Sequence, residues 1–396
     1  MHLTAEDVRL TGEIAKYGEV NPASTQQLAK FLYDAKSAGG LGLPVLRTTA
    51  KGAPSTSKDV LAELVDKHPA VQHILDWRRI TKMRNTYAVG LKRFIRNDGR
   101  IHPNINIDGA ASGRMSCSEP NLQNIPRSDS VEGKMVKDLF VAPEGHILLQ
   151  ADYSQLELRI AAVLSGDPEM RRIFDSGEDY HLRTARMISK QAWGIEPDAV
   201  EKIHRSAAKT VNFGLLYGLN VAGLAHQIGC TVDAADSIKR AVLGKFKVLD
   251  RWIRERLEET RQSGDAWTWW NGGRARRRPL WDIGDRDETK RATAERSSWN
   301  TPIQGTASDF CLASLIECVR WLKGSTLKTK LVMTVHDSLI FEVPQNELEI
   351  VAGKVDEIMS SWNSNGVPLK VDLEVGKSWG SLESYDIDTQ EQAYGS

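Results

Sequence analysis

The sequence predicts an α+β protein whose strands pair antiparallel. Three observations predict it. Residues 146–151 form a short apolar run that reads as a buried strand and stops at a carboxylate, Asp152. Residues 330–335 and 339–343 are two apolar runs joined by His336-Asp337-Ser338, the pattern of a β-hairpin with an Asp at its tip. The stretches 1 to roughly 90 and 166 to roughly 300 carry helical spacing instead.

The organising stretch is 148–159. Asp152 sits where the first strand ends. Ser154-x-x-Glu157 is a helix-start signature, and Leu156, Ile160, Val163 and Leu164 continue at helical spacing. The expected result is a carboxylate at a strand's C-terminal end with a helix leaving beneath it, a common geometry for holding a divalent metal. Taken alone, an Asp at a strand end is more often a turn residue or helix cap, and Glu157 also reads as the last member of a capping box.

The chain has 396 residues, too many for one simple core, and two or three subdomains are expected. Apolar residues make up 41%, enough for a globular fold. Lys+Arg and Asp+Glu are both 52, so the formal charge is zero, which argues weakly against a polyanion partner. A local basic groove remains compatible with that balance. Cys117, Cys230, Cys311 and Cys318 show no Cys-x-x-Cys spacing, which argues against a zinc site or a disulfide framework and fits a reducing compartment. No apolar run reaches membrane-spanning length and no signal peptide is visible.

In chain order, residues 25–32 form a short amphipathic helix, 39–57 an exposed loop, and Ser57 a cap for a helix over 58–66. A third helix, from 70 to about 94, carries Arg78, Arg79, Lys82, Arg84, Lys92 and Arg93. Charges of nearly one sign suggest a phosphate-facing surface, against the plainer reading of a solvated face. Residues 99–126 hold Gly113-Arg114 and the block Pro120-Asn121-Leu122-Gln123-Asn124-Ile125-Pro126, which is either turn chemistry or a set of donors to a backbone or base edge. A helix from about 201 to 219 places Arg205, Lys209, Phe213 and Tyr217 on one stripe. Two cations followed by two aromatics suit phosphates at one end and a planar ring at the other. Gly272-Gly273-Arg274-Ala275-Arg276-Arg277-Arg278 reads equally as a loop near polyanion and as a solvated basic loop. Asn300 to Thr306 opens a long helix to about 323, a last strand covers 369–375, and the tail from 385 is expected to be disordered.

Together these stretches resemble the polymerase region of family A DNA polymerases, the bacterial DNA polymerase I type, over nearly the whole chain. Three separated signatures carry the resemblance in the family's order: Asp152-Tyr153-Ser154-Gln155-Leu156-Glu157-Leu158-Arg159, then Arg205-x3-Lys209-x3-Phe213-Gly214-x2-Tyr217-Gly218, then Val335-His336-Asp337. Gly113-Arg114, the 120–126 block, and Asn300 with Gln304-Gly305-Thr306 also match. The resemblance implies a right-hand architecture: a partial helical thumb (1–95), an antiparallel palm sheet (96–165 and 300–380), helical fingers (166–299) and a disordered tail (381–396).

It also implies template-directed addition of deoxynucleotides to a primer 3′ end by two-metal phosphoryl transfer. Asp152 and Asp337 would be catalytic and, with the Tyr153 carbonyl, would hold two Mg²⁺ ions, Mn²⁺ being able to substitute. Gln155, Glu157, His181, Arg205, Lys209, Phe213 and Tyr217 would bind the nucleotide, Glu157 as a steric gate against the ribose 2′-hydroxyl. Arg114, Asn124, Arg296, Asn300, Gln304 and His336 would contact DNA. The implied partners are primer–template DNA and dNTPs, with no membrane, a monomeric state and a cytoplasmic setting in a bacterial cell or phage-infected host. Two departures stand out: Ser338 where the family usually has Glu, and Arg127 directly after Pro126, which is given no role. The length leaves no room for a proofreading or 5′ nuclease domain, and a cut chain, a split gene and a short phage-type enzyme all stay open. A two-metal nuclease and an inactive DNA-binding protein are the alternatives. The first needs paired Asp residues but no cationic–aromatic stripe, and the second needs no acids.

Overall fold

The computed structural model describes residues 2–49, 51–126 and 130–387. The chain divides into two compact units: residues 1–104 with 118–139, and residues 105–117 with 140–396. The expected thumb boundary at 95 thus falls inside the first unit, which also takes in 118–139.

The first unit is helical. It contains α1 (His2–Ala15), α2 (Thr25–Tyr33), α3 (Lys58–Ala62), α4 (Pro69–Lys82) and α5 (Val131–Lys137). Leu10 and Ile14 of α1, Leu28, Phe31 and Leu32 of α2, Val60 and Leu61 of α3, and Ile74 and Trp77 of α4 share one core. Ser24 caps α2 through the Gln27 N–H, whereas Ser57 precedes α3 without a side-chain cap bond. The third helix is shorter than expected, because after Lys82 it widens into a π segment over Met83–Ala88 and ends in a 3-10 turn. Its basic residues do not form one free surface. Arg78 donates to the Thr56 carbonyl, Arg79 pairs with Glu132 at 2.9 Å, and Arg84 pairs with Asp7. Arg79, Lys82, Lys92 and Arg93 are exposed, Arg79 while ion-paired, and Arg78 and Arg84 are half-buried.

The second unit is built on a five-stranded antiparallel sheet. Two three-residue strands, β1 (Asn104–Asn106) and β2 (Ser116–Ser118), flank the loop that carries Gly113 and Arg114. The sheet strands are β3 (His146–Tyr153), then, after the helical region and the hairpin of β4 (Asp265–Trp270) and β5 (Gly273–Pro279), β6 (Lys330–Val335), β7 (Ser338–Pro344), β8 (Val371–Gly376) and β9 (Glu383–Ser384). Their order is β6-β7-β3-β8-β9, so β3 is the central strand. Leu149, Ala151 and Tyr153 alternate on one buried face of β3. The Tyr153 hydroxyl reaches Ser314 at 2.8 Å and the Met359 carbonyl at 2.7 Å, tying the strand to α14 (Thr306–Gly324) and α15 (Leu348–Ser360). The expected tail from 381 is partly structured, since β9 pairs with β8 and Tyr385 N–H donates to Leu373. Residues 388–396, like Arg127, lie outside the described residues.

Between β3 and the hairpin run α6 (Leu156–Ser165), α7 (Pro168–Asp175), α8 (Tyr180–Trp193), α9 (Lys202–Leu216), α10 (Val221–Ile228), α11 (Val232–Lys245) and α12 (Lys247–Ser263). The hairpin leads to α13 (Glu288–Asn300) and a π turn over Thr301–Gly305, so the long helix expected from 300 starts at Thr306. The Arg cluster of β5 is largely exposed, and its residues are paired. Arg274 pairs with Glu259, Arg276 with Asp309 at 2.8 Å, Arg277 with Asp265 at 2.8 Å, and Arg278 donates to Thr301 at 2.9 Å.

Asp167 holds two of these helices together. One carboxylate oxygen accepts from the N–H groups of Glu169 (3.0 Å) and Met170 (3.2 Å), capping α7. The other accepts from Val248 (3.0 Å) and Leu249 (3.1 Å), the first turn of α12, which has no cap of its own. At 1% exposure, water cannot replace it. Asp167→Ala is expected to lower unfolding free energy by about 3 kcal/mol, since two caps and their buried donors go unsatisfied together. Asp167→Asn, which keeps one accepting oxygen, should lose about half as much. Denaturant midpoints read both, and a loss in Asp167→Ala below about 1 kcal/mol would mean the donors find other acceptors.

Candidate active site

The two predicted acids come together through the backbone. Asp152 is opposite Ser338 in the β3–β7 register, and the Tyr153 N–H donates to the Asp337 carbonyl at 3.2 Å. Val335 pairs with Ser338, so His336 and Asp337 form a two-residue turn, with His336 at φ +54°. A turn this tight throws Asp337 past the strand end and alongside Asp152. Cys311 on α14 senses both carboxylates: burial, then Asp337 and Asp152, push its thiol up to about 12. Its sulfur donates to the His336 carbonyl at 3.6 Å. Ser338 is buried and donates its hydroxyl to the Val335 carbonyl at 2.8 Å. That hydroxyl closes the turn and is not presented beside Asp337.

The predicted capping box does not form. Gln155, at φ +55°, occupies the N-cap position of α6 with no side-chain cap bond, and its Oε1 is buried without a hydrogen-bond partner. Glu157 turns away from the helix end. Its Oε1 accepts from Arg114 Nη2 at 2.5 Å and its Oε2 from the Tyr217 hydroxyl at 2.5 Å. Glu157 is 5% exposed, and burial raises its pKa against the pull of Tyr217 and Arg114. Arg114 also lies 3.6 Å from Asp337, an ion pair too long for a hydrogen bond. Burial raises the pKa of Asp337 and Arg114 opposes the shift.

Asp337 Oδ1 is buried with no hydrogen-bond partner. An orphaned carboxylate oxygen beside a second carboxylate is a fit for a hard cation, and with the Tyr153 carbonyl the donor set is all oxygen, which suits Mg²⁺. The Tyr153 side chain is committed to the core, so only its backbone could serve. Among the described residues no group of three or more His, Cys, Asp or Glu gathers as a metal cluster, so such an ion would depend on these two acids, backbone and water.

The stripe on α9 is formed as predicted, with Tyr217 as the C-cap residue. Phe213 and Tyr217 stack at 5.9 Å, and the Tyr217 bond to Glu157 joins the stripe to α6. Lys209 is exposed. Arg205 is not free: its Nε and Nη2 donate to Asp179 at 3.2 and 2.6 Å. Asp179 is also the N-cap of α8, accepting from Leu182 N–H at 2.6 Å. His181, in the first turn of α8, lies against Phe213 at 5.5 Å, and burial lowers its pKa to about 4. The end of α9 is seated on α13. Trp299 donates to the Leu216 carbonyl at 2.9 Å, and the Arg296 stem packs under Gly218, where φ is +66° and a Cβ would meet it at 2.6 Å. Asn300 reaches the Tyr217 carbonyl at 3.5 Å, and Gln304 lies in the π turn, half-buried.

The second unit therefore gathers Arg114, Glu157, Tyr217 and Asp337 through direct contacts, with Asp152 brought near Asp337 by the strand register and Phe213 and His181 adjoining the stripe. Asn124 belongs to the first unit, where its carbonyl accepts from Tyr87 at 2.9 Å. Two residues were not singled out by sequence: Asp179, which ties Arg205 to α8, and Asn212, which bonds His181; Arg276, read there only as part of a basic run, fills the space beside Gly113. Gly113 has φ +81°, a conformation that favours glycine, and its open face is filled by the Arg276 guanidinium. Asp179 alone had a visible signal, as an Asp just before a helical run.

With this geometry in place, comparison with known proteins is direct. Residues 3–381 match the family model described as DNA polymerase family A. The chain is 38% identical to the thermostable DNA polymerase I of Thermus filiformis over 381 residues, 95% of this chain and 44% of that protein. It is 38% identical to DNA polymerase I of Chloroflexus aurantiacus, covering 92% of this chain and 38% of that one, and 37% identical to that of Bacillus subtilis, covering 91% and 39%. The chain spans less than half the length of these relatives. Among solved structures, it is similar to the POL domain of Pol1 from M. smegmatis in complex with DNA primer-template and dNTP, with a TM-score of 0.87 and 33% identity over 96% of this chain and 65% of that one. The match runs through nearly every described element, and the chain belongs to DNA polymerase family A.

Proposed function

We propose that this chain is a DNA-directed DNA polymerase that adds deoxynucleotides to a primer 3′ end, with primer–template DNA and dNTPs as partners. The observation that carries the reading is the joining of Asp337 to the α9 stripe through one buried carboxylate. Glu157 is bonded to Tyr217 on one side and to Arg114 on the other, and Arg114 faces Asp337. A two-metal nuclease has no need of that link. The related structure bound to primer-template and dNTP supports the same partners. No helix among the described residues is long and apolar enough to cross a membrane. A monomeric, cytoplasmic enzyme with thumb, palm and fingers as in the sequence reading completes the proposal.

The roles are those the family resemblance implies, set on this geometry. Asp152, Asp337 and the Tyr153 carbonyl would hold the metals. Two divalent ions, when bound, would supply charge stabilisation to both the attacking and the leaving oxygen of an in-line displacement. Lys209, the exposed cation, would meet the triphosphate. Arg205 spends two donors on Asp179 and would reach the same phosphates with the remaining Nη1. Gln155 and His181 would border the phosphates, and Phe213 and Tyr217 the incoming base. Glu157 is held too rigidly by its two partners to swing aside, which is what a gate against a 2′-hydroxyl requires. Arg114, Asn124, Arg296, Asn300, Gln304 and His336 would contact DNA.

A primer-extension gel with Mg²⁺ and four dNTPs tests the reading. A lengthened primer is expected; a shortened one would indicate a nuclease, and an unchanged one an inactive binding protein. Asp152→Asn and Asp337→Asn should each slow single-turnover insertion by about 10³-fold or more, because each removes a charge needed in the transition state. Ser338→Ala should stay within about tenfold of the wild type, since the hydroxyl only closes the turn. A Ser338→Ala loss equal to that of Asp337→Asn would sink the ligand assignment.

Glu157→Ala opens the gate and frees the Tyr217 hydroxyl. Ribonucleotide incorporation relative to deoxynucleotide should rise by about 10²-fold or more. If stability falls while selectivity holds, Glu157 is a structural carboxylate only. Lys209→Ala should weaken nucleotide affinity far more than DNA affinity, and equal losses would place Lys209 on the DNA instead.

A further inference from the structure

His181 is held by a side chain with no assigned role. Asn212 on α9 is 3% exposed. Its Nδ2 lies 3.1 Å from His181 Nδ1 and 3.2 Å from Thr184 Oγ1. Thr184 has one hydroxyl proton, and it is given to the Tyr180 carbonyl at 2.8 Å. Thr184 Oγ1 can therefore only accept from Asn212, which orients the amide with its NH₂ towards both neighbours. The opposite orientation would ask one hydroxyl proton to serve two acceptors. An amide NH₂ only donates, so Nδ1 of His181 must be the bare nitrogen, and the ring proton sits on Nε2.

We propose that Asn212 is a positioning residue for nucleotide binding: it fixes His181 as the neutral Nε2–H tautomer, which then donates a hydrogen bond to a phosphate oxygen of the nucleotide. This rests on the polymerase reading above. The chemistry favours a neutral ring at this place. Burial, together with Arg205 and Lys209, disfavours a third positive charge, although Asp179 pulls the other way. An uncharged donor adds a directional bond to the phosphate without adding repulsion among the cations while no nucleotide is bound. It also keeps its single proton on a known atom, which a freely exchanging imidazole does not.

The plainer possibility is that Asn212 only satisfies its own burial. Two measurements separate them. In the full chain labelled with ¹⁵N-histidine, two-bond ¹⁵N–¹H correlations distinguish the tautomers, with the His181 signals assigned by their loss in His181→Gln. The wild type should show Nε2–H; an Nδ1–H ring overturns the proposal whether or not the protein is a polymerase. This arm needs no Asn212 variant to fold. Asn212→Asp, close in shape, replaces the donor with an acceptor and should move the ring proton from Nε2 to Nδ1, removing the donor; a ring that keeps Nε2–H in this variant overturns the proposal.

The second measurement is single-turnover dNTP insertion. Asn212→Asp should raise the nucleotide dissociation constant by about tenfold, the worth of one lost hydrogen bond, with primer–template affinity unchanged. In a His181→Gln background the same substitution should have no further effect. Equal losses in both backgrounds would assign Asn212 a structural role and overturn the proposal. So would unchanged nucleotide affinity in His181→Gln. Absence of any primer extension by the wild type would overturn the polymerase reading and the nucleotide half of the proposal, while the tautomer spectrum still decides the Asn212–His181 half.

Discussion

The structure of the second unit depends on the placement of β3 at the centre of its sheet. A strand paired on both sides cannot slip by one residue without turning its buried face to the other side. Here the buried face is Leu149, Ala151 and Tyr153, and Tyr153 is further pinned by Ser314 and Met359. Asp152 is therefore fixed on the opposite face, at the strand's end, by packing that has nothing to do with its own chemistry. The same strand positions its partner acid, because Tyr153 N–H holds the Asp337 carbonyl and the β7 register brings Ser338 opposite Asp152. Two carboxylates are costly neighbours, and the fold bears that cost in backbone pairing and in one Arg, Arg114.

A second constraint runs from the helices into the sheet. Glu157 is almost wholly buried, and a buried carboxylate is tolerated only where donors surround it. Tyr217 and Arg114 are those donors, one from the end of α9 and one from the loop between β1 and β2. Each is supported in turn. Tyr217 sits on an end of α9 seated against Trp299 and Arg296, and Arg114 follows a glycine pressed against Arg276, which is itself paired with Asp309. A change at any of these supports is felt at one carboxylate, and through Arg114 at Asp337.

Patterns with a period were legible in the sequence, and so were residues that end an element. The buried strand, the hairpin with Asp337 at its tip, the Arg205–Tyr217 stripe and most helices follow from spacing alone. Partners chosen across the fold were not legible. The Ser154-x-x-Glu157 pattern promised a cap, but Gln155 takes the cap position in the left-handed region and Glu157 binds residues 43 and 60 positions away. The Arg run of β5 read equally as a polyanion-facing and as a solvated loop, because its acids, Glu259, Asp265 and Asp309, come from other elements. The partners of Arg78, Arg79 and Arg84 were hidden for the same reason. Asn212 gave no signal at all, since a lone Asn on a helix has nothing in sequence to mark it as a donor to His181.

The zero net charge acquires a physical meaning from these pairs. A chain that meets a polyanion is often basic overall, and this one is not. Many of its cations are spent internally: on Asp7, Glu132, Asp179, Glu259, Asp265 and Asp309. On the α9 stripe Lys209 is the exposed cation, one turn along the helix from an Arg already bound to an acid. Pairing removes long-range attraction while leaving short-range donors in place, because an Arg held by one carboxylate still has N–H groups to offer. A site built this way would gain little from distant steering and much from close, oriented contact. That is the regime in which the protonation state of one neutral ring, and the amide that sets it, can matter as much as another positive charge.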